Sequence, residues 1–227
     1  MKKSPVLVVA AHPDDEVLGC GGTIAKFALE GRPVHVLLLA DGESSRESNI
    51  GFDDLIQNRN ASAEKAADIL GISSLKICEF PDNRLDSINV FDVVKIIEAS
   101  IRDTLPTTVF THHYGDVNVD HRVVHEAVLA ACRPQPGFCV KELFFFEIPS
   151  STEWRPPNSA TPFVPNLFVN IDIFLDTKKK ALLAYASEMR DFPHARSIKA
   201  VEALARWRGA CVGKNAAEAF MVGRIIN

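Results

Sequence analysis

Residues 6–16 read Val-Leu-Val-Val-Ala-Ala-His-Pro-Asp-Asp-Glu, an apolar run that ends abruptly in polar and rigid residues. Six consecutive apolar residues are typical of a strand that is buried on both faces of a parallel sheet. Ligands of open α/β sheets bind beyond the carboxyl ends of the strands, which is where the polar residues stand. The stretch therefore predicts the first strand of a parallel sheet and the place of a functional site.

The same alternation of strand and helix patterns continues through the first two thirds of the chain. Apolar runs of strand length occupy 6–11, 34–40, 75–80, 108–112 and 143–148. Segments with helical periodicity follow the first four runs, at 20–30, 53–70, 90–103 and 119–132. This order is typical of βαβ units. We predict a doubly wound, mostly parallel, Rossmann-like α/β sheet flanked by helices, in one domain over 1–227.

The last third begins with a proline-rich segment from Pro149 to Pro165. Proline interrupts helices and interior strands, so we predict an ordered loop or lid here rather than a linker between domains. Beyond it, the patterns predict a strand at 167–173, helices at 178–189 and 198–208, and an edge strand at 220–226.

Charge and composition exclude a nucleic-acid partner. The 227 residues include 25 basic and 29 acidic side chains, for a net charge of −4, and 47% of them are hydrophobic. No basic tract is longer than Lys178-Lys179-Lys180, which we interpret as a solvated helix face. Nucleic-acid binding needs a basic surface, and this sequence offers no electrostatic basis for one.

The sequence predicts no membrane span and a cytoplasmic location. No stretch approaches the ~18 apolar residues of a transmembrane helix. The apolar run after Lys2 and Lys3 stops at His12, too early for the core of a secretion signal. The five cysteines are widely spaced and include no Cys-x-x-Cys pair, which favours reduced thiols.

Imidazoles and carboxylates follow three of the predicted strands. They occur in 12–16 after the first strand, in 41–43 after the second and in 112–121 after the fourth. A ligand set of imidazole and carboxylate suits zinc, whose catalytic sites have three protein ligands and one open position. We predict that His12, Asp15 and His121 bind one zinc ion per chain. His125 lies four residues beyond His121 on the same helix face, so it is the alternative histidine.

Asp14 stands next to these predicted ligands without being one of them. A carboxylate in that position can accept a proton from a water whose pKa the metal lowers toward ~7. The reaction class that follows is hydrolysis of a carbonyl compound.

The motif Ala11-His12-Pro13-Asp14-Asp15-Glu16, together with Asp120-His121, closely resembles the PIG-L/LmbE-type family of zinc-dependent N-deacetylases. Further landmarks occur in the same order along nearly the whole chain, at Asp41-Gly42-Glu43, Arg59, 80–85, 193–197 and 217–220. The resemblance implies removal of an acetyl group from an N-acetylglucosamine-type amino sugar or a related conjugate. It also implies a small-molecule partner and allows a homo-oligomer, since several members assemble in that way.

The resemblance implies a role for several individual residues. His12, Asp15 and His121 match the metal ligands, Asp14 matches the general base, and Asp120 matches an acceptor that orients a ligand imidazole. Arg59 and Asp82 match positions near the sugar pocket, although Arg59 could instead be a surface arginine near a helix N-terminus. We also expect His194, in the landmark 193–197, to contact the substrate. In the proline-rich segment, Trp154 offers a flat face to a pyranose ring, or else it only packs.

The chain departs from the family pattern at Asn118. Many members have a histidine at this position, which stabilises the oxyanion or protonates the leaving amine. An asparagine can donate a hydrogen bond to an oxyanion but cannot supply a proton. The candidates for the acid are His113, His125, His194 and a protonated Asp14, which could return the proton that it takes from water.

Three further hypotheses compete with deacetylation. The protein could be an amidase that removes a larger acyl group from a sugar conjugate, or a sugar-binding protein without activity, which the asparagine encourages. The cluster Gly19-Cys20-Gly21-Gly22 could indicate nucleotide binding, but polar residues separate it from the first strand and the spacing of its glycines differs from the dinucleotide fingerprint. We interpret these glycines as allowing close packing of the first helix.

Overall fold

The computed structural model describes residues 3–42, 52–158 and 161–227. The described residues form a seven-stranded sheet in the order β3-β2-β1-β4-β5-β7-β6. Strands β1 to β5 are parallel, and β7 pairs antiparallel with both β5 and β6. The strands are β1 (Val6–Ala10), β2 (Val34–Ala40), β3 (Ser74–Phe80), β4 (Thr108–His112), β5 (Glu142–Phe146), β6 (Leu167–Asn170) and β7 (Ala217–Ile225).

Helices cover both faces of this sheet. In the described part of the chain they are α1 (Asp15–Leu29), α2 (Phe52–Leu70), α3 (Val90–Thr104), α4 (Val119–Ala131), α5 (Leu175–Ala184) and α6 (Ile198–Ala210). Side chains of α1, α2, α5 and α6 share one apolar cluster with Val6 and Val8, while those of α3 and α4 share the other with Leu7 and Val9. Consecutive residues of β1 are therefore buried on opposite faces, which confirms the predicted doubly wound α/β class. No described helix combines the length and the apolar character that a membrane span requires.

The predicted edge strand at 220–226 is wrong in its position. The strand spans Ala217–Ile225 and lies between β5 and β6, so it is an interior strand of the sheet. The edges are instead β3 and the short strand β6. Neighbours in a sheet are set by long-range pairing, which the local pattern of one segment does not contain.

Helix α1 begins at Asp15, five residues before the predicted start, and is kinked. Cys20 has φ −147° and ψ 22°, which are not helical angles. The kink leaves backbone N–H groups without partners inside the helix, and the Glu218 carboxylate accepts those of Gly22 at 2.9 Å and Thr23 at 2.7 Å. Glu218 thus acts as a cap for the second half of α1.

Lys178 completes this arrangement. Its Nζ donates to Glu218 Oε1 at 2.6 Å and to the Leu18 carbonyl oxygen at 2.8 Å, on the other side of the kink. The lysine is buried, so the prediction of a solvated lysine face is wrong at this residue. A buried ammonium is tolerated because its charge is paired and its protons are donated.

The glycine cluster of α1 allows the helix to pack closely on its neighbours. A Cβ added at Gly19 would lie 2.5 Å from Cδ2 of Phe146, and one added at Gly22 would lie 2.9 Å from two carbon atoms of Ile171. Phe146 and Ile171 are fully buried and have no room to withdraw. This is the packing role that the sequence suggested for these glycines.

We predict that Gly19→Ala lowers the free energy of unfolding by about 1–3 kcal/mol, because the methyl group overpacks against Phe146. Gly21→Ala is the matched control, since its nearest neighbours are side-chain atoms of Val17 and Lys178 at 3.0 and 3.4 Å. A helical alanine also gains propensity over glycine, which offsets that contact. Urea unfolding of the two variants measures the difference, and equal stability would contradict the packing argument.

Candidate active site

Polar side chains collect at the carboxyl ends of the parallel strands. Residues 12–16 follow β1, Asp41 follows β2, Asp82 follows β3, and 113–121 follow β4. Nearly all of the ionisable side chains in these stretches, and that of His112 at the end of β4, are buried. They are His12, Asp14, Asp15, Glu16, Asp41, Asp82, His112, His113, Asp116, Asp120 and His121. Glu43, which the sequence places in the same group, lies outside the described residues.

His12, Asp15 and His121 come together as predicted. Each offers one ligand atom, and the three atoms lie within 4.8 Å of one another. Asp15 Oδ2 is 3.2 Å from His12 Nδ1 and 3.3 Å from His121 Nε2. Asp15 Oδ1 and His121 Nε2 are buried and have no hydrogen-bond partner among the described residues. A group of three possible ligand atoms, with buried and unsatisfied atoms on two of its residues, fits a metal ion.

Carboxylates hold the His12 ring from the opposite side. Its Nε2 lies 3.0 Å from Asp120 Oδ2 and 3.1 Å from Asp82 Oδ1. Asp120 also accepts the backbone N–H groups of Asn83 at 2.8 Å and Leu85 at 2.9 Å, which fixes its position. Burial lowers the pKa of His12, but the hydrogen bonds to these carboxylates and Asp15 raise it well above its ordinary value. The contacts leave Nδ1 of the ring facing Asp15.

Asp116 holds the His121 ring in the same manner. Its Oδ1 lies 3.2 Å from His121 Nδ1, which leaves Nε2 facing Asp15. The hydroxyl of Ser151 donates to Asp116 Oδ1, and that of Thr152 donates to Oδ2 at 2.6 Å. Burial raises the pKa of Asp116, but the bonds from His121 and the two hydroxyls bring it below its ordinary range. Sequence reasoning grouped Asp116 with the acidic residues but assigned it no role.

His112 supports His121 from a neighbouring strand end, which the sequence did not indicate. Its ring stacks on the His121 ring at 3.9 Å between centroids. Its Nε2 accepts the backbone N–H of Ala11 at 2.9 Å, so this hydrogen bond joins the ends of β1 and β4 next to His12 and His121. Burial and the nearby charge of His121 lower the pKa of His112 well below its usual value.

Asp14 lies at the sharp turn between β1 and α1. Its φ of 115° is one that residues other than glycine rarely adopt. Asp14 Oδ2 accepts a hydrogen bond from Arg196 at 2.9 Å and lies 4.0 Å from Arg59, whereas Oδ1 is buried without a hydrogen-bond partner among the described residues. Burial raises the pKa of Asp14, and the charges of the two arginines oppose that increase.

Two buried residues stabilise the turn that carries Asp14. The backbone N–H of Asp14 donates to Glu16 Oε2 at 3.0 Å, and the Tyr185 hydroxyl donates to Glu16 Oε1 at 2.7 Å. Burial raises the pKa of Glu16 to about 7. Arg196 lies in the landmark 193–197, but the sequence assigns it no role of its own. Tyr185 comes from a segment whose local pattern carries no catalytic motif.

The residues predicted for the sugar pocket divide into two groups. Arg59 is buried, forms an ion pair with Glu188 at 2.6 Å and lies 4.0 Å from Asp14, whereas Asp82 contacts His12 Nε2. In the first group, these two residues therefore contact Asp14 and His12 directly. Trp154 and His194 lie together, with ring centroids 5.9 Å apart, and Trp154 is 56% exposed. His194 Nδ1 accepts the backbone N–H of Arg196 at 3.0 Å, which places this pair beside the arginine that binds Asp14.

The amide of Asn118 is engaged at both ends. Its Oδ1 accepts the N–H of Asp120 at 2.8 Å as the cap of α4, and its Nδ2 donates to Asn83 Oδ1 at 3.1 Å.

His125 lies apart from the predicted metal ligands. Its Nδ1 is 2.9 Å from the His112 carbonyl oxygen, and no described contact joins it to His12, Asp14 or Asp15. Burial lowers the pKa of His125.

His113 contacts the proline-rich segment rather than the predicted metal ligands. Its Nε2 lies 3.0 Å from the Thr161 carbonyl oxygen. A Cβ at Gly115 would come within 2.6 Å of His113 Nε2, so glycine is needed at that position for this approach.

Solved structures share the fold over the entire chain. The conserved protein TT1542 from Thermus thermophilus is 29% identical, with a TM-score of 0.78, and the match covers 99% of this chain and 97% of that one. The 4-carboxy-2-hydroxymuconate hydratase GalB from Pseudomonas putida has a TM-score of 0.81, with 99% of both chains covered. At 22% identity, the second likeness concerns the fold alone.

Sequence comparison identifies the family. A probable N-acetyl-alpha-D-glucosaminyl L-malate deacetylase 2 of Bacillus cereus is 30% identical over 213 residues, which cover 89% of this chain and 93% of that protein. The profile of the PIG-L family, described as GlcNAc-PI de-N-acetylase, matches residues 7–132. That range runs from β1 through α4 and includes His12, Asp15 and His121. The chain therefore belongs to the PIG-L family, as its sequence motifs predicted.

Proposed function

We propose that the protein is a zinc-dependent N-deacetylase that removes the acetyl group from an N-acetylated amino sugar or glycoconjugate. The observation that carries this proposal is the convergence of His12, Asp15 and His121 beside Asp14, a buried carboxylate with one oxygen left without a hydrogen-bond partner. The relative from Bacillus cereus, whose name specifies an N-acetylated glucosaminyl compound, supports the substrate class.

Two imidazoles and one carboxylate form a ligand set that suits zinc and leaves a position open. When bound, the ion supplies Lewis acidity, which makes a nearby water more acidic and an amide carbonyl more electrophilic. The protein holds the ligands rigidly, because Asp120 and Asp116 fix the far nitrogens of the two rings.

Asp14 acts as the general base in this proposal. Its Oδ1 accepts the proton from the attacking water, while Arg196 keeps Oδ2 in place. Asn118 stands where many family members have a histidine, and its amide cannot supply a proton. The two ends of this amide bind Asp120 and Asn83. Asp14 then returns the same proton to the departing amine.

In this proposal, the sugar ring of the substrate binds at Trp154 and His194. The exposed indole offers an apolar face for a pyranose ring, and the histidine beside it can hydrogen-bond a sugar hydroxyl. We place the substrate here because this pair lies next to Arg196, which contacts the base.

Release of acetate or amine tests the reaction. We expect the purified protein to release acetate from at least one member of a panel of N-acetylated sugars, nucleotide sugars and thiol glycosides, and to stop when a chelator is added. Release from longer N-acyl conjugates alone would favour the amidase. Binding of the sugars without any release would favour a sugar-binding protein and overturn the proposed function.

Replacement of a ligand histidine should abolish metal binding. We expect one zinc ion per chain in the wild-type protein by elemental analysis, and none in His121→Ala, since two remaining ligands hold zinc poorly. His125→Ala is the matched control on the same helix and should keep its zinc. Loss of the metal from His125→Ala, with retention in His121→Ala, would reverse the assignment.

Replacement of the base should separate catalysis from metal binding. Asp14→Asn is expected to keep the zinc ion and lose about 10²–10⁴-fold in kcat, because the amide cannot accept the proton of water. Asp176→Asn changes a carboxylate that is 82% exposed on α5 and should leave kcat unchanged. An Asp14→Asn variant with wild-type turnover would remove this residue from the mechanism.

A further inference from the structure

A short turn at the start of the proline-rich segment contacts both halves of the proposed site. We call Ser150 to Glu153 the serine turn. The Glu153 carboxylate accepts the backbone N–H of Ser150 at 2.7 Å and that of Ser151 at 3.2 Å, and the Thr152 hydroxyl accepts the N–H of Ile148 at 2.8 Å. These hydrogen bonds within the turn satisfy the backbone N–H groups of Ser150, Ser151 and the preceding Ile148.

One side of the serine turn supports the metal ligand His121. The hydroxyls of Ser151 and Thr152 donate to the two carboxylate oxygens of Asp116. Asp116 in turn lies 3.2 Å from His121 Nδ1. With both of its oxygens engaged by these hydroxyls, the carboxylate has little freedom to rotate away from the imidazole.

The other side of the turn supports the base. Ser150 Oγ accepts a hydrogen bond from Arg196 Nε at 2.7 Å, and Arg196 donates from its Nη1 to Asp14 Oδ2 at 2.9 Å. Ser150 has a φ of 69°. Residues other than glycine rarely adopt this backbone conformation, and it persists only where the surrounding structure holds it. Such strain is common beside functional sites.

We propose that Ser150 and Ser151 are positioning residues with separate targets. Ser151, with Thr152, orients the metal ligand His121 through Asp116, and Ser150 orients the base Asp14 through Arg196. Trp154 ends the short 3-10 helix Thr152–Trp154, so a sugar stacked on the indole is placed relative to both. This inference rests on the proposed function for its chemistry and on the contacts above for its residues.

Two adjacent serine-to-alanine variants test the proposal. Zinc affinity is measured without substrate, by competition with a chromophoric chelator. Ser151→Ala should weaken zinc binding about 10–100-fold, the usual cost of losing support behind a ligand. Ser150→Ala should leave zinc affinity unchanged and lower kcat about 10–100-fold, with little change in KM, on the panel substrate that the wild-type protein turns over fastest.

Further variants separate positioning from general damage to the fold. Ser62→Ala removes an exposed hydroxyl on α2 and should change neither quantity. Ser151→Thr keeps a hydroxyl and should restore zinc affinity. In a double-mutant cycle, the losses of Ser151→Ala and Asp116→Asn should be non-additive, since both act through one contact.

Equal losses of zinc affinity in Ser150→Ala and Ser151→Ala would overturn the proposal in favour of a structural role. Wild-type zinc affinity in Ser151→Ala would overturn the role of Ser151 in orienting His121. Wild-type kcat in Ser150→Ala would overturn the role of Ser150 in orienting Asp14. A wild-type protein that binds no zinc or releases no acetate would overturn the proposed function itself. That failure is distinguishable, because it lies in the wild-type protein and not in the variants.

Discussion

The arrangement of the residues around the candidate site depends on the buried carboxylate of Asp15. It is fully inaccessible to solvent, and its Oδ2 accepts the backbone N–H of His12 at 2.9 Å and lies close to two imidazole nitrogens. Burying an ionised group is costly unless it is paired and hydrogen-bonded. The end of β1 and the first turn of α4 must therefore bring His12 and His121 next to this carboxylate, and a dication would complete its neutralisation.

The groups around Asp15 form successive hydrogen-bonded layers. Asp120 and Asp116 contact the far nitrogens of His12 and His121, and backbone N–H groups and hydroxyls in turn donate to these two carboxylates. The net charge of −4 therefore conceals a concentration of carboxylates at one edge of the sheet. The fold alone does not decide the reaction, because a hydratase shares it at 22% identity. In the proposed mechanism, the choice of reaction lies in particular side chains, foremost Asp14 and the residues that hold it.

The sequence predicted the parallel strands β1 to β5 well, because buried parallel strands are continuous apolar runs. The bounds of β2 and β4 agree with the prediction. It failed where burial involves charged residues. Helix α1 starts five residues earlier than predicted, since its first turn buries Asp15 and Glu16. Lys178 is buried for the same reason, as the partner of Glu218 across 40 residues of chain. Pattern rules treat charged residues as solvated, and these are paired.

The sequence by itself determined the α/β class, the grouping of His12, Asp15 and His121, and the family, because each is written in a local run or a specific motif. Only the tertiary structure decided which groups orient that triad. Arg196 reaches Asp14 over 182 residues, and the serine turn reaches Asp116 over about 35. Such contacts arise from the order of the strands in the sheet and the path of the loop after β5. Local sequence carries no record of them, since any donor of suitable length could fill the same place.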